Sequence, residues 1–203
     1  MRDPYLYPDS EALRNLTDIY DVDMLKNMEA DYCSFRLSEI VVDDIAKDAK
    51  YVLSEMNAYD WQTASFENIA MSFSNYMAKL WKIHLYREGN TRTIVTFCCM
   101  FIEAQGIYIE SDLFKDNASY MRSALVAANA IFHDLGDLRK PDYLYRIVQD
   151  ALEQGKEMSS RVENYIRKAE LPVTRENIRK VVFWNRREHK EHSFEEIKDY
   201  LKK

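Results

Sequence analysis

The stretch KIHLYREGNTRTIV, residues 82 to 95, sets one His, one Glu, a Gly-Asn pair and two Arg side by side in a chain that has four Gly and four His in all. Each of these types suits phosphate chemistry. An imidazole such as His84 takes a proton from an attacking hydroxyl near neutral pH. Glu88 is a hard oxygen ligand of the kind Mg²⁺ accepts, one or two carboxylates alongside phosphate oxygens. Gly89 and Asn90 tolerate positive φ and close backbone approach, and Arg92 can neutralise phosphate charge. Base, metal ligand, backbone anion hole and cation together describe phosphoryl or nucleotidyl transfer. The same residues also suit a solvated helix-loop-helix junction with an Arg-Glu pair.

The flanking pattern supplies the elements that would position them. Ser65, with Asn68 three residues on, opens a helix whose apolar positions Ile69, Phe73, Tyr76, Leu80 and Ile83 recur at helical spacing until His84. Periodicity resumes from Thr91 to Gln105, with Gly106 as C-cap. Gly89 and Asn90 therefore fall just before a helix N-terminus, where free N–H groups and the positive end of the helix dipole converge on an anion. Earlier helices are expected over DVDMLKNMEADYCSFRLSEI, with Leu25, Met28, Tyr32, Phe35 and Leu37 near one face, and over DDIAKDAKYVLSEM. Later ones are expected at about 117 to 133, 141 to 154, 156 to 170 and 174 to 200, with no repeat and no linker rich in Pro, Gly or Ser.

Composition agrees with an all-α fold in a single domain spanning 1–203. Gly and Pro number four each in 203 residues, too few turn formers for a sandwich or barrel. The net charge of −6 argues against a general nucleic-acid binder. The longest nearly apolar run, IVTFCCMFI, is too short for a bilayer and no signal peptide is visible, so no membrane partner and a cytoplasmic location are expected. Cys33, Cys98 and Cys99 read as buried thiols of a reducing compartment.

In HLYREGNTRTIV the His, the acidic residue, the Gly-Asn pair and the first Arg stand in register with the signature H-P-F-x-[D/E]-G-N-G-R-x-x-R, and the chain resembles the Fic (filamentation induced by cAMP) proteins. DPYLYPDSEALRN is similar to the N-terminal segment of many Fic domains, SNYMAKLWKIH to the helix before their motif, and ESDLFKDNASYMRSALVAAN to the downstream helix of a subgroup carrying G-N-T-R-T. The resemblance covers most of residues 3 to 165. It implies a Fic-like helical bundle that transfers AMP from ATP to a hydroxyl of a target protein, with Mg²⁺. It makes His84 the general base, Glu88 the Mg²⁺ ligand, and Gly89, Asn90, Thr91 and Arg92 the nucleotide-binding residues.

Departures from the signature are Leu85 and Tyr86 for Pro and Phe, Thr91 for Gly and Val95 for the final Arg. A β-branched Thr91 disfavours φ > 0, so its backbone is expected to be helical already, its hydroxyl capping the helix or touching a phosphate. The family's second Arg contacts the γ-phosphate, and Arg122 is the candidate substitute. No alternating segment between SFRLSEI and DDIAKDAKYVLSEM is long enough for the family's target-aligning hairpin.

Residues 159 to 164, SSRVEN, match the family's inhibitory pattern [S/T]-x-x-x-E-[G/N]. The resemblance thus makes 156–170 an inhibitory helix, with Ser159, Glu163 and Asn164 as its markers and Glu163 turned to Arg92 or Arg122. Tyr165 beside it is a candidate for self-modification. Alternative readings are removal of AMP at the same site, with Glu163 orienting a water, transfer of another phosphate-bearing group, and a degenerate Fic fold that only binds. The helical tail, 174–203, carries His189 and His192, read as a solvated helix end rather than a metal pair, and Phe183 and Trp184, read as packing the tail onto the core.

Overall fold

A computed structural model describes residues 42–85, 89–132 and 136–202. The expected helix over 21–40, the segment before it, Cys33, Tyr86 and Glu88 lie outside the described residues. Among the described residues eight helices follow one another: α1 (Val42–Ala58), α2 (Phe66–Ile83), α3 (Asn90–Ala104), α4 (Asp112–Asp116), α5 (Ala118–Ala128), α6 (Asp142–Lys168), α7 (Arg175–Glu188) and α8 (Phe194–Leu201). The fold is all-α; a minimal antiparallel hairpin, β1 (Ile131–Phe132) and β2 (Gly136–Asp137), pairs Ile131 with Asp137 between α5 and α6. No described helix is long and apolar enough to cross a membrane.

Local chemistry sets most of the boundaries. Ser65 is the N-cap of α2 and its hydroxyl accepts the Asn68 N–H, as the spacing predicts. Thr174 and Ser193 do the same for α7 and α8, the latter in a full capping box with Glu196. Beyond the end of α3, Gly106 takes φ +86. The tail departs from the single helix expected over 174 to 200: His189 turns left-handed (φ 51) and ends α7 before Ser193 starts α8.

The long helix α6 corrects a second expectation. The two helices expected at about 141 to 154 and 156 to 170 are one continuous helix of 27 residues, Asp142–Lys168, with Gly155 inside it. Gly155 is there for space: a Cβ would lie 2.2 Å from the Tyr108 carbonyl oxygen and 2.6 Å from Ile109 Cα. The segment after α3 thus crosses α6 in backbone contact, and Glu110 N–H donates to Ala151 O at 2.8 Å.

Because it is so long, about 40 Å at 1.5 Å per residue, α6 runs through two apolar clusters. Its first half, with Leu144, Ile147 and Ala151, packs with Phe73 and Met77 of α2, Ile94 and Ile102 of α3, and Leu125 of α5. Its second half, with Met158, Val162 and Ile166, packs with Tyr108, with Ile178, Val181 and Val182 of α7, and with Ile197 of α8. Two arginines of α7 grip the end of α3: Arg175 donates to Ala104 O at 2.6 Å, and Arg186 pairs with Glu103 at 2.6 Å.

Candidate functional site

The junction between α2 and α3 is framed by two left-handed residues. His84 closes α2 at φ 56, ψ 56, its N–H donating to Trp81 O at 3.1 Å. A non-glycine residue in this region is uncommon and costs about 1 kcal/mol, and His is among the types that tolerate it. At the other side Gly89 (φ 70, ψ 16) starts α3 without any side-chain cap. The first return bond of α3 is Thr93 N–H to Gly89 O at 2.9 Å, which leaves the amides of Asn90, Thr91 and Arg92 outside the helical ladder.

Trp81 holds the junction together. Its carbonyl accepts Asn90 Nδ2–H at 3.0 Å as well as the His84 N–H, and its indole Nε1–H donates to Thr91 Oγ1 at 2.9 Å. Thr91 lies in the first turn of α3, as its β-branched side chain requires, and its hydroxyl oxygen serves this internal bond instead of capping the helix. Asn90 is 5 % exposed, and its Oδ1 has no hydrogen-bond partner among the described residues. Arg92 folds back over Gly89: a Cβ there would come within 3.4 Å of its Nη2. His84 is half-buried at the same junction. Gly89, Asn90, Thr91 and Arg92 are therefore brought together, with His84 one loop away.

Val95, where the second Arg of the signature would be, is half-buried against the first cluster. Arg122 lies exposed on α5. Of the proposed metal ligands, Glu88 is outside the described residues; among the described residues no group of three His, Cys, Asp or Glu could hold a metal.

Residues 159 to 164 sit elsewhere. They belong to the half of α6 that packs on α7, and α7 grips the C-terminal end of α3 through Arg175 and Arg186. The motif is at the other end of α3, a helix of 15 residues or about 22 Å. Glu163 pairs with Arg167 one turn along its own helix at 3.7 Å, in place of the expected Arg92 or Arg122. Ser159 Oγ donates to Lys156 O at 3.0 Å, and Asn164 is exposed. Tyr165 packs at the edge of the second cluster.

The tail holds a polar cluster that the spacing did not announce. His192, expected in a solvated helix end, is 1 % exposed. Its Nδ1 lies 2.7 Å from Asn185 Oδ1, its Nε2 2.9 Å from Glu188 Oε2, and its ring stacks on Trp184 at 3.5 Å. Trp184 Nε1–H donates to Glu188 Oε1 at 2.7 Å, and this bond, with the one to His192, holds the Glu188 carboxyl below the usual carboxylate range. Trp184 packs against the second cluster as expected, but Phe183 does not: it is 45 % exposed. Trp184 and Glu188 lie one turn apart on α7, and His192 reaches them from beyond the helix end, where helical spacing gives no signal.

Cys98 and Cys99 are free, buried thiols; burial pushes both upward, Cys99 to about 12, which disfavours the thiolate. No protein-family model, curated protein or solved structure matches the chain.

Proposed function

We propose that the chain is a nucleotidyltransferase of the Fic type, moving AMP from ATP to a hydroxyl side chain of a target protein at the α2–α3 junction. The observation that carries this reading is the pair of left-handed residues, His84 and Gly89, at the two ends of the loop that leads into an uncapped helix start, with Arg92 folded back over Gly89. Amides outside the helical ladder, the positive end of α3 and a guanidinium suit the phosphates of one nucleotide. The motif residues of HLYREGNTR carry the identity of the reaction.

In this reading the target hydroxyl attacks the α-phosphorus in line and His84 takes its proton. The bond from the α-phosphorus to the bridging oxygen breaks, and pyrophosphate leaves. The amides of Asn90, Thr91 and Arg92 and the Arg92 side chain stabilise the charge that develops on the phosphate oxygens. Glu88 would hold Mg²⁺, which when bound neutralises phosphate charge. Thr91 acts through its backbone, since its hydroxyl oxygen is occupied by Trp81. Val95, an apolar residue against the core, leaves the γ-phosphate without the signature's second clamp, so another phosphate-bearing donor is compatible with the site.

A brake by Glu163, and AMP removal with Glu163 orienting a water, both need that carboxylate at the junction. Its pairing with Arg167 favours neither, and they are not part of the proposal. The test is incubation of the purified wild type, His84→Ala and Glu163→Gly with ATP labelled at the α-phosphate, Mg²⁺ and a cell lysate. Label should join protein with the wild type and with Glu163→Gly alike, and not with His84→Ala. Labelling by His84→Ala equal to wild type would refute the reading. ATP binding without transfer by any form would reduce the chain to a binding module.

A further inference from the structure

A groove of about 520 Å³ lies on the outer face of α7 and α8, away from the α2–α3 junction. Phe183, Trp184 and Tyr200 line it with aromatic rings. Its rim carries Arg179, Lys180 and Arg187 against one carboxylate, Glu176. We propose that this groove docks an acidic segment of a partner protein through an apolar or aromatic anchor side chain.

Three features argue for that occupant. First, tryptophan, tyrosine, phenylalanine and arginine are the residues enriched where protein interfaces bury their centres, and five of the seven lining residues are of these types. Second, the surface is prepared in advance. The Trp184 indole stacks on the His192 ring at 3.5 Å and on the Tyr200 ring at 4.2 Å, both nearly parallel to it, and its N–H is fixed by Glu188. A rigid aromatic wall loses little freedom when a partner binds. Phe183, by contrast, projects outward at 45 % exposure with the guanidinium carbons of Arg179 and Arg186 at 5.5 and 6.0 Å from its ring, an apolar contact edged with positive charge.

Third, the charge is local and opposite to the whole. The chain carries −6, yet the groove has three cations to one acid. The pairs Lys180–Glu176 and Arg187–Glu188 are exposed, so an incoming carboxylate competes for those cations at little cost. A nucleic-acid strand needs a continuous cationic track and would meet net repulsion from the rest of the chain; a short acidic segment needs only this rim. The proposal uses no residue of the α2–α3 junction and stands or falls separately from the transfer reaction.

The test uses the full chain and three fluorescein-labelled probes: a short peptide of Glu with interspersed Leu and Phe, the same peptide with Lys for Glu, and a single-stranded oligonucleotide of similar length. Fluorescence anisotropy should show binding of the acidic peptide, weakening as salt rises. Phe183→Ser and Arg179→Glu should each weaken it about tenfold or more. Both side chains are exposed, and an unchanged thermal midpoint shows that each variant is folded. The lysine peptide should not bind. Equal binding of the two peptides, wild-type affinity in both variants, or tighter binding of the oligonucleotide than of the acidic peptide would overturn the assignment.

Discussion

Trp81 Nε1–H donates to Thr91 Oγ1 at 2.9 Å, so the last turn of α2 and the first turn of α3 are tied directly across the loop between them. The indole is 6 % exposed and has no water to fall back on. Replacing Thr91 by Val keeps the shape and removes the acceptor, which leaves a buried N–H unpaired and costs about 1–3 kcal/mol. Thr91→Ser restores the oxygen and should recover most of that loss. Urea unfolding of the two variants makes the comparison, and Thr91→Val unfolding at the wild-type midpoint would mean the bond contributes nothing.

Gly155 gives the second prediction. Alanine is the better helix former by about 1 kcal/mol, so propensity alone predicts a gain. The space says otherwise, since a Cβ at 2.2 Å from the Tyr108 carbonyl oxygen meets backbone that cannot rotate away. Gly155→Ala should therefore destabilise by about 3 kcal/mol, the upper end for overpacking. Gly136→Ala is the contrast: nothing lies within 4 Å, and only its φ of +79 opposes the change, for about 1–2 kcal/mol. Thermal unfolding should rank the two in that order.

These two glycines mark what the sequence could disclose. Signals that act within one turn were legible: the Ser65 cap, the end of α2 at His84, the positive φ of Gly106 and the polar junction between two helices. At Gly155 the sequence suggests a break, because a helix interior gives no local reason for a glycine, and the reason lies in Tyr108 and Ile109, nearly 50 positions earlier. Phe183 and His192 were misplaced for the same cause. Helical spacing puts Phe183 on a face and does not reach His192, which lies beyond the end of α7; only the way α7 and α8 pack on α6 decides that Phe183 is exposed and that His192 is enclosed by Asn185, Glu188 and Trp184.

The pair Arg186–Glu103 joins the end of α3 to α7 at 2.6 Å, with Glu103 9 % and Arg186 22 % exposed at their side chains. Arg186 also donates to the Ile109 carbonyl. Arg186→Met keeps much of the volume but strands a buried carboxylate and a carbonyl. The expected loss is about 3 kcal/mol, the lower end for breaking a buried pair because the arginine is partly solvated. Adding Glu103→Gln should return part of it, and the double-mutant cycle should give a coupling of about 0.5–3 kcal/mol. Strict additivity would assign the cost to lost packing.

Glu188 makes the docking of the tail sensitive to acid. The hydrogen bond from Trp184, then that from His192, lowers its carboxyl from the ordinary 4.5. A carboxylate held lower in the folded than in the unfolded chain adds stability that is complete above the unfolded value. That stability is lost as pH falls through the folded value, because protonation weakens the bonds of the Glu188 carboxylate, through Oε1 to Trp184 and through Oε2 to His192. Glu196, lowered by the Ser193 N–H in the α8 cap, acts with the same sign. The indole N–H resonance of Trp184 reads the event, since Glu188 is its partner. On going from about pH 6 to pH 3 that resonance should move toward the position of a solvated indole while the resonances of α2 and α3 hold. Glu188→Gln should remove the part of the transition that belongs to this residue and leave the part due to Glu196, and an unaltered transition in that variant would show that the Trp184–Glu188–His192 contacts do not hold the tail.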